Sequence, residues 1–399
     1  MSGPFARKTG NDGAALIVAL FALTILTALA VTFASVARTD ALLAGNRAAA
    51  LQAFYAAQSG LNYCRGVLAA DDPATDSAGD EWAQVGDSAP ELDIPGFTVS
   101  AVIEDESARL NLNTATSDML VALPGMTEEI ADAILDWRDD DDEPGPLGAE
   151  SDYYLSLPSP YEAANGPFET VDELRLVKGV DAVLFDGDGT AANPGLRNLV
   201  TVRSGERNVD REGRARLNIN TADPGQLAVR LGDILTDDEL AAVERRRRRG
   251  PLTSLAAALT IAGVPWPTMA QVLDRIRVDD RSFGEGTVNL NTASEQVLEA
   301  IGLPADVAQA VVDRRETQPF ETKGELADVA GVTQEVMLAV ADSIATKSSV
   351  FRVAASAQAE ARPLRAGVSA LLDRSGQAPR LIVWREDSSP PSGQAGPQE

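Results

Sequence analysis

From Gly13 to Ala37 the chain carries no charged residue. As a helix, a run of this length covers roughly 37 Å at about 1.5 Å per residue, enough to cross a bilayer core. Beyond Arg38-Thr39-Asp40 the pattern becomes periodic. Leu51, Phe54, Tyr55, Gln58, Leu61 and Leu68 recur near i, i+3, i+4, i+7, which is an amphipathic stripe. No proline interrupts the chain between Pro4 and Pro73. The pattern predicts one helix of about 55 residues that leaves the membrane and lays its second half on a soluble domain.

Asp71 to Pro95, rich in Asp, Ser, Pro and Gly, reads as a loop, and Phe97 to Ile103 alternates like a strand. Then a pattern recurs in three copies: Leu110-Asn-Leu-Asn-Thr-Ala115, Leu217-Asn-Ile-Asn-Thr-Ala222 and Val288-Asn-Leu-Asn-Thr-Ala293. Each copy leads into an apolar periodic stretch with a break, and then into a second half beginning at Phe168, Leu252 or Phe320. Thr170 with Glu173, Thr322 with Glu325 and Thr292 with Glu295 read as capping boxes, and Gly125, Gly179, Gly263 and Gly331 as helix stops. The repeat predicts three small helical units, each about two helical hairpins. Phe351–Ala357, Ala366–Leu372 and Arg380–Trp384 are strand-like runs that can rejoin the strand at Phe97. The Ser-, Pro- and Gln-rich tail reads as disordered.

Composition removes many functions. With 60 acidic against 34 basic residues the formal net charge is −26, which repels phosphate backbones. The chain has no histidine, so the usual general base, the Ser-His-Asp triad and most transition-metal sites are missing. Cys64 is the only cysteine, so no internal disulfide can form. No phosphate loop, nucleophile elbow or metalloprotease helix occurs, and the reading is of a structural protein rather than an enzyme.

Arg7 and Lys8 before the apolar run place the N-terminus in the cytoplasm and the body across the membrane. The run itself admits three readings: a cleaved secretory signal ending near Ala34-Ser-Val-Ala37, an uncleaved anchor, or a short leader ending in Gly13 with the apolar helix retained. The residues up to Gly13, the apolar run and Asn46-Arg47 followed by Ala53-Phe-Tyr-Ala-Ala-Gln-Ser-Gly60 resemble the N-terminus of type IV pilin-like proteins. The closest resemblance is to minor pseudopilin K of type II secretion systems. It extends to Tyr153-Tyr154, Pro160-Tyr161, Asn165 to Phe168 and Glu173 to Val177, which look like that family's helical, SAM-like region.

The resemblance implies cleavage by a prepilin peptidase between Gly13 and Ala14. Most pilins carry Glu at the fifth mature position; Val18 stands there, as in pseudopilin K. A buried Glu in an apolar bundle needs a partner from the neighbouring subunit, so a subunit without it suits a filament tip. The implied fold is α+β: a long N-terminal helix on a small antiparallel, pilin-like sheet with a large inserted all-α domain of helix-hairpin-helix or SAM-like repeats. The expected division is a leader over 1–13, the membrane and amphipathic helix over 14–70 and a first β part over 71–108. The helical insert follows over 109–346, then a second β part over 347–386 and a tail over 387–399. The implied partners are minor pseudopilins of the I and J types, other pseudopilus subunits and the prepilin peptidase. The implied place is the bacterial inner membrane, at the tip of a short pseudopilus whose assembly the protein initiates and caps.

Two other roles compete: a membrane-tethered helix-hairpin-helix protein that binds DNA for uptake, and a minor type IV pilin. The hairpins carry Glu128, Glu129, Asp237, Asp238, Glu239 and Asp306 where phosphate-gripping versions carry basic residues, so nucleic acid is not an expected partner. The run Arg245, Arg246, Arg247, Arg248, Arg249 reads as a solvated helix C-terminus stopped by Gly250-Pro251, or as a patch for an acidic partner. Two acidic clusters are candidates for calcium, the one possible cofactor: Asp139, Asp140, Asp141 and Asp142, and Asp186 with Asp188. The second lacks further EF-hand ligands, because Thr190 and Arg197 occupy their places.

Overall fold

The computed structural model describes residues 12–86, 92 and 94–387. Most of the leader and the tail from residue 388 lie outside the described residues. Helix α1 runs from Asp12 to Ala70, 59 residues without a break. Its first part is exposed along its whole length, and it is the one described helix long and apolar enough to cross a membrane.

The second part of α1 lies on a four-stranded antiparallel sheet: β1 (Phe97–Asp105), β2 (Val350–Ala359), β3 (Arg365–Asp373) and β4 (Arg380–Asp387), in that spatial order. β1 pairs with β2 from Phe97 opposite Ala359 to Asp105 opposite Phe351, so one sheet is closed by segments far apart in the chain. The face that α1 buries is not the expected stripe. Leu61 and Leu68 are buried, but Leu51 and Tyr55 are more than half exposed. The buried line is Ala53, Ala56, Ala57, Gly60, Leu61, Cys64, Val67 and Leu68. Close approach explains the rotation: a Cβ on Gly60 would meet Val99 Cγ1 at 3.0 Å and Ala355 Cβ at 3.1 Å. Ala53, Ala56, Ala57 and Gly60 let the helix sink onto the pleated surface, while Leu51 and Tyr55 are left outside. Trp82, packed edge-on against Phe351 at 5.1 Å, closes one end of this core.

Between β1 and β2 the chain builds three helical units around a second core. Their main helices are α2 (Glu128–Arg138), α3 (Asp237–Arg247) and α4 (Ala305–Thr317). Each unit is tied by a two-residue parallel bridge: Leu110–Asn111 with Val200–Thr201, Leu217–Asn218 with Ile276–Arg277, and Val288–Asn289 with Ile344–Ala345.

The recurring Asn-x-Asn motif makes the bridges possible. Its second Asn clasps the two halves of its unit. Asn291 Nδ2 donates to Phe320 O at 2.9 Å and Thr346 O at 3.4 Å, while its Oδ1 accepts from Phe320 N at 2.7 Å. Asn113 does the same with Phe168 and Val202, and Asn220 with Leu252 and Val278. An arginine at the end of each main helix returns to carbonyls of the motif: Arg138 to Leu112 and Ala115, Arg247 to Ile219 and Ala222, Arg315 to Leu290 and Ala293.

The capping boxes at Thr170–Glu173 and Thr322–Glu325 form, but they start 3₁₀ turns. Thr292 is not a cap. Ser294 caps the following helix by accepting from Val297 N, and Thr292 Oγ1 instead donates to Asp105 at 2.6 Å.

Candidate functional site

Unit one differs from the other two in the segment between its halves. Units two and three pass from main helix to clasp within a few residues; in unit one the connection runs from Asp139 to Phe168. Asp132, Asp136 and Asp139 stand at i, i+4, i+7 and so share one face of α2. The connecting loop folds back over that face. Gly145 N donates to Asp136 at 3.1 Å, and Leu147 N donates to Asp132 at 3.2 Å. The approach is so close that a Cβ on Gly148 would overlap Asp136 Oδ2.

The loop delivers Glu150, which is 3% exposed. Neither of its carboxylate oxygens has a hydrogen-bond donor among the described residues. Oxygens of Asp136, Asp139 and Glu150 lie within 4.8 Å of one another. Burial, reinforced by the charges of Asp136 and Asp139 and then Asp142 and Asp141, pushes the Glu150 carboxyl up to about 7. Burial also raises Asp136 and Asp139. Three like-charged groups closing on one point, one of them without a donor, fit a hard divalent cation. Calcium takes oxygen ligands at about 2.3–2.6 Å, so a separation of about 4.8 Å spans one coordination sphere.

The expected acidic residues are distributed differently. Asp139 joins this centre, and Asp140 is exposed. Asp141 accepts from Glu143 N at 2.8 Å and Asp142 from Asn165 Nδ2 at 2.9 Å. Asp186 pairs with Arg175 at 2.8 Å and Arg197 at 3.1 Å, and Asp188 accepts from Thr190 within its own turn. The acidic run alone does not single out Asp136 or Glu150; the i, i+4, i+7 row of aspartates is the signal for Asp136, whereas the return of Glu150 depends on the loop.

The arginine run is split as well. Arg247 returns to the carbonyls of Ile219 and Ala222, Arg246 donates to Gly250 O at 2.9 Å, and Arg248 pairs with Glu244 at 3.2 Å. Gly13 and Ala14 fall in the first turns of α1, and Val18 is exposed on its apolar part.

A second concentration of charge lies inside the helical body. Glu206, Arg216, Asp274 and Lys323 are all buried. Arg216 donates to Glu206 Oε1 at 2.7 Å and to Asp274 Oδ1 at 2.9 Å, and Lys323 reaches Glu206 at 2.7 Å. Burial opposes ionisation of Glu206, but Arg216 and Lys323 overcome it and hold its pKa at about 2. Every member is paired, so the network locks units two and three together.

A long apolar helix laid on an antiparallel sheet, with a helical domain inserted between the first strand and the rest, defines a pilin-like protein with an elaborated head. Family models described as type II secretion system protein K match residues 99–187 and 288–346. Two segments of the chain therefore resemble the type II secretion system protein K family. Similar curated proteins include protein K of Pectobacterium carotovorum, 28% identical over 45% of this chain and 61% of the relative, and protein K of Pseudomonas aeruginosa, 30% identical over 43% and 58%. The chain therefore matches about three fifths of the length of these relatives. It is also similar to human endonuclease/exonuclease/phosphatase family domain-containing protein 1, at 30% identity over 42% of this chain but 27% of that protein. A chain in the crystal structure of the GspK-GspI-GspJ complex from enterotoxigenic Escherichia coli shares the fold. Its TM-score is 0.53 at 17% identity, covering 87% of this chain and 99% of that one.

Proposed function

We propose that the protein is a minor pseudopilin at the tip of a type II secretion pseudopilus, where it initiates assembly and blocks further addition above itself. Its helix is anchored in the inner membrane with the N-terminus cytoplasmic and the body periplasmic, and a prepilin peptidase cuts between Gly13 and Ala14. The observation that carries this reading is the continuity of α1, which leaves an exposed apolar rod and then becomes the spine of the sheet domain. That rod can only be covered by lipid or by the helices of other subunits. Minor pseudopilins of the I and J types are the proposed neighbours, with Leu51 and Tyr55 continuing the apolar surface beyond the bilayer. Val18 offers no charge for a subunit above, and the helical insert over 109–346 supplies the bulk that obstructs one.

The proposed role is structural, and we assign calcium to Asp136, Asp139 and Glu150 as a stabilising ion of unit one. Coexpression with a prepilin peptidase tests the processing: the mature N-terminus should be Ala14, and an uncut Met1 or a start at Arg38 would refute it. Co-purification with I- and J-type pseudopilins separates secretion from pilus assembly. A gel shift of the full chain with DNA at low salt should show no complex.

A further inference from the structure

A cleft of about 570 Å³ lies where the sheet domain, unit one and unit three meet. It falls within the range of about 300–1,000 Å³ usual for ligand sites. Trp82 and Leu199 supply apolar wall, and Glu104, Asp105, Arg109 and Arg315 supply charge.

Three of these charges are already matched. Glu104 pairs with Arg109 at 2.6 Å, and Asp105 accepts from Ser107 N, Asn289 Nδ2 and Thr292 Oγ1. Arg315 is different. Its Nη1 donates to Leu290 O at 2.9 Å and Ala293 O at 2.5 Å, which fixes the guanidinium, while Nε and Nη2 have no acceptor among the described residues. Of its two counterparts, Arg138 uses both Nη atoms on the motif carbonyls and Arg247 uses Nη1 alone, as Arg315 does, but only Arg315 lines this cleft. No carboxylate among the described residues forms an ion pair with Arg315; burial holds its pKa below the usual arginine value, and Glu316 offsets this only in part. Trp82, 3% exposed, lines the cleft, and its buried indole Nε1 has no acceptor among the described residues.

We propose that this cleft binds a peptide segment through a carboxylate, which pairs with Nε and Nη2 of Arg315 while a neighbouring apolar side chain lies against Trp82 and Leu199. The two free N–H groups sit on one edge of a planar fork already held in place, the arrangement that takes a carboxylate at two points. An Asp or Glu side chain and a free chain terminus present the same group. The site is independent of the filament role, because it needs only the contact between the sheet domain and the helical units.

The test uses the full chain in detergent micelles and three fluorescently labelled pentapeptides. The first has a central Glu between leucines and an amidated end; the second has a central Gln and a free terminus; the third has a central Gln and an amidated end. At least one carboxylate peptide should bind tenfold or more tightly than the neutral one, and which of them does so identifies the source of the group. Ala191→Trp, at an exposed position on the rim, and Ala78→Glu, which places a negative charge at another exposed lining position, should each reduce that binding at least tenfold without moving the thermal midpoint. Equal binding of all three peptides, or carboxylate-selective binding that survives both variants, would overturn the proposal.

Discussion

The Glu150→Gln variant tests the acidic centre most directly. Glu150 ordinarily ionises near 4.5 and is pushed to about 7 in the fold, chiefly by burial and then by Asp136 and Asp139. At about 1.4 kcal/mol per pK unit, the ionised group destabilises the folded state by roughly 3 kcal/mol above pH 8. The sign follows from the folded form holding its proton more tightly. The stability associated with that proton is fully present below about pH 4.5 and is lost as the pH rises through about 7. Glutamine removes the charge but leaves a buried amide to satisfy, which costs about 1–2 kcal/mol. The net gain in chelator at pH 8 is therefore about 1–2 kcal/mol, or about 2–8 °C in the melting midpoint of a body this size. At pH 5 the gain should vanish or reverse. Calcium reverses the order, because it stabilises the wild-type chain by about 2.7 kcal/mol at a hundredfold excess over its dissociation constant, and the variant lacks a ligand. Melts of the full chain in detergent, with chelator or excess calcium at pH 8 and pH 5, read all four arms by tryptophan fluorescence. Trp137 lies beside the centre, 5.2 Å from Tyr154, as a local reporter. A variant whose midpoint shift is the same at both pH values, or which keeps the full calcium response, would refute the reasoning.

Glu206→Gln strips the buried anion from between Arg216 and Lys323 and should cost roughly 3–5 kcal/mol in urea unfolding at pH 7. Because the folded pKa of Glu206 is depressed to about 2, its contribution is present above pH 4.5 and lost as the pH falls through 2, so the variant should show a flatter acid limb. Asn291→Ala removes the clasp of unit three and should cost about 2–4 kcal/mol, seen as faster tryptic cleavage within residues 288–346; unchanged cleavage would mean that the motif does not hold the halves together. Gly60→Leu forces the spine off β1 and β2 and should destabilise the sheet domain by about 1–3 kcal/mol or more, read from the denaturation midpoint, whereas Tyr55→Ala on the exposed side should leave it within about 0.5 kcal/mol.

The long helix, the alternating strands and the threefold repeat were legible because each is written in a local period. Closure of the sheet was legible only as a possibility, since the pairing of Asp105 with Phe351 spans the whole insert. The buried face of α1 departs from the expected stripe for a physical reason. Large apolar residues mark a buried stripe only where the partner surface stands off, and over Ala53 to Gly60 the sheet comes close enough to take mainly small ones. The Asn-x-Asn motif was visible as a repeat, but its work was not, because each Asn bonds to backbone atoms tens of residues away that no spacing rule connects. The acidic centre shows the same divide. The run at Asp139 to Asp142 stands out by density, yet the candidate site turns on Glu150, brought back by a loop and without a donor among the described residues.

How the insert is attached decides whether it can serve as an obstruction at a filament tip. On flexible linkers it would swing aside. Here it is fixed to the sheet domain by buried polar groups at three points. Glu106, fully buried, accepts from Arg352 of β2 at 2.6 Å and from Thr201 of unit one. Asp105 at the end of β1 holds Asn289 and Thr292 of unit three. Asp76, in the loop after α1, takes Arg374 at 2.6 Å and Ser348 N at 2.7 Å, where the chain leaves unit three for β2. Hydrogen bonds to buried charges contribute about 1.5–3 kcal/mol each, and breaking one strands its partner away from water. Hinging the insert would break several at once, a cost comparable to the stability of a whole domain. The insert therefore moves with the sheet, and the sheet with α1. In the role proposed above, a tip subunit would then carry its helical insert forward together with the sheet domain and the part of α1 packed on it.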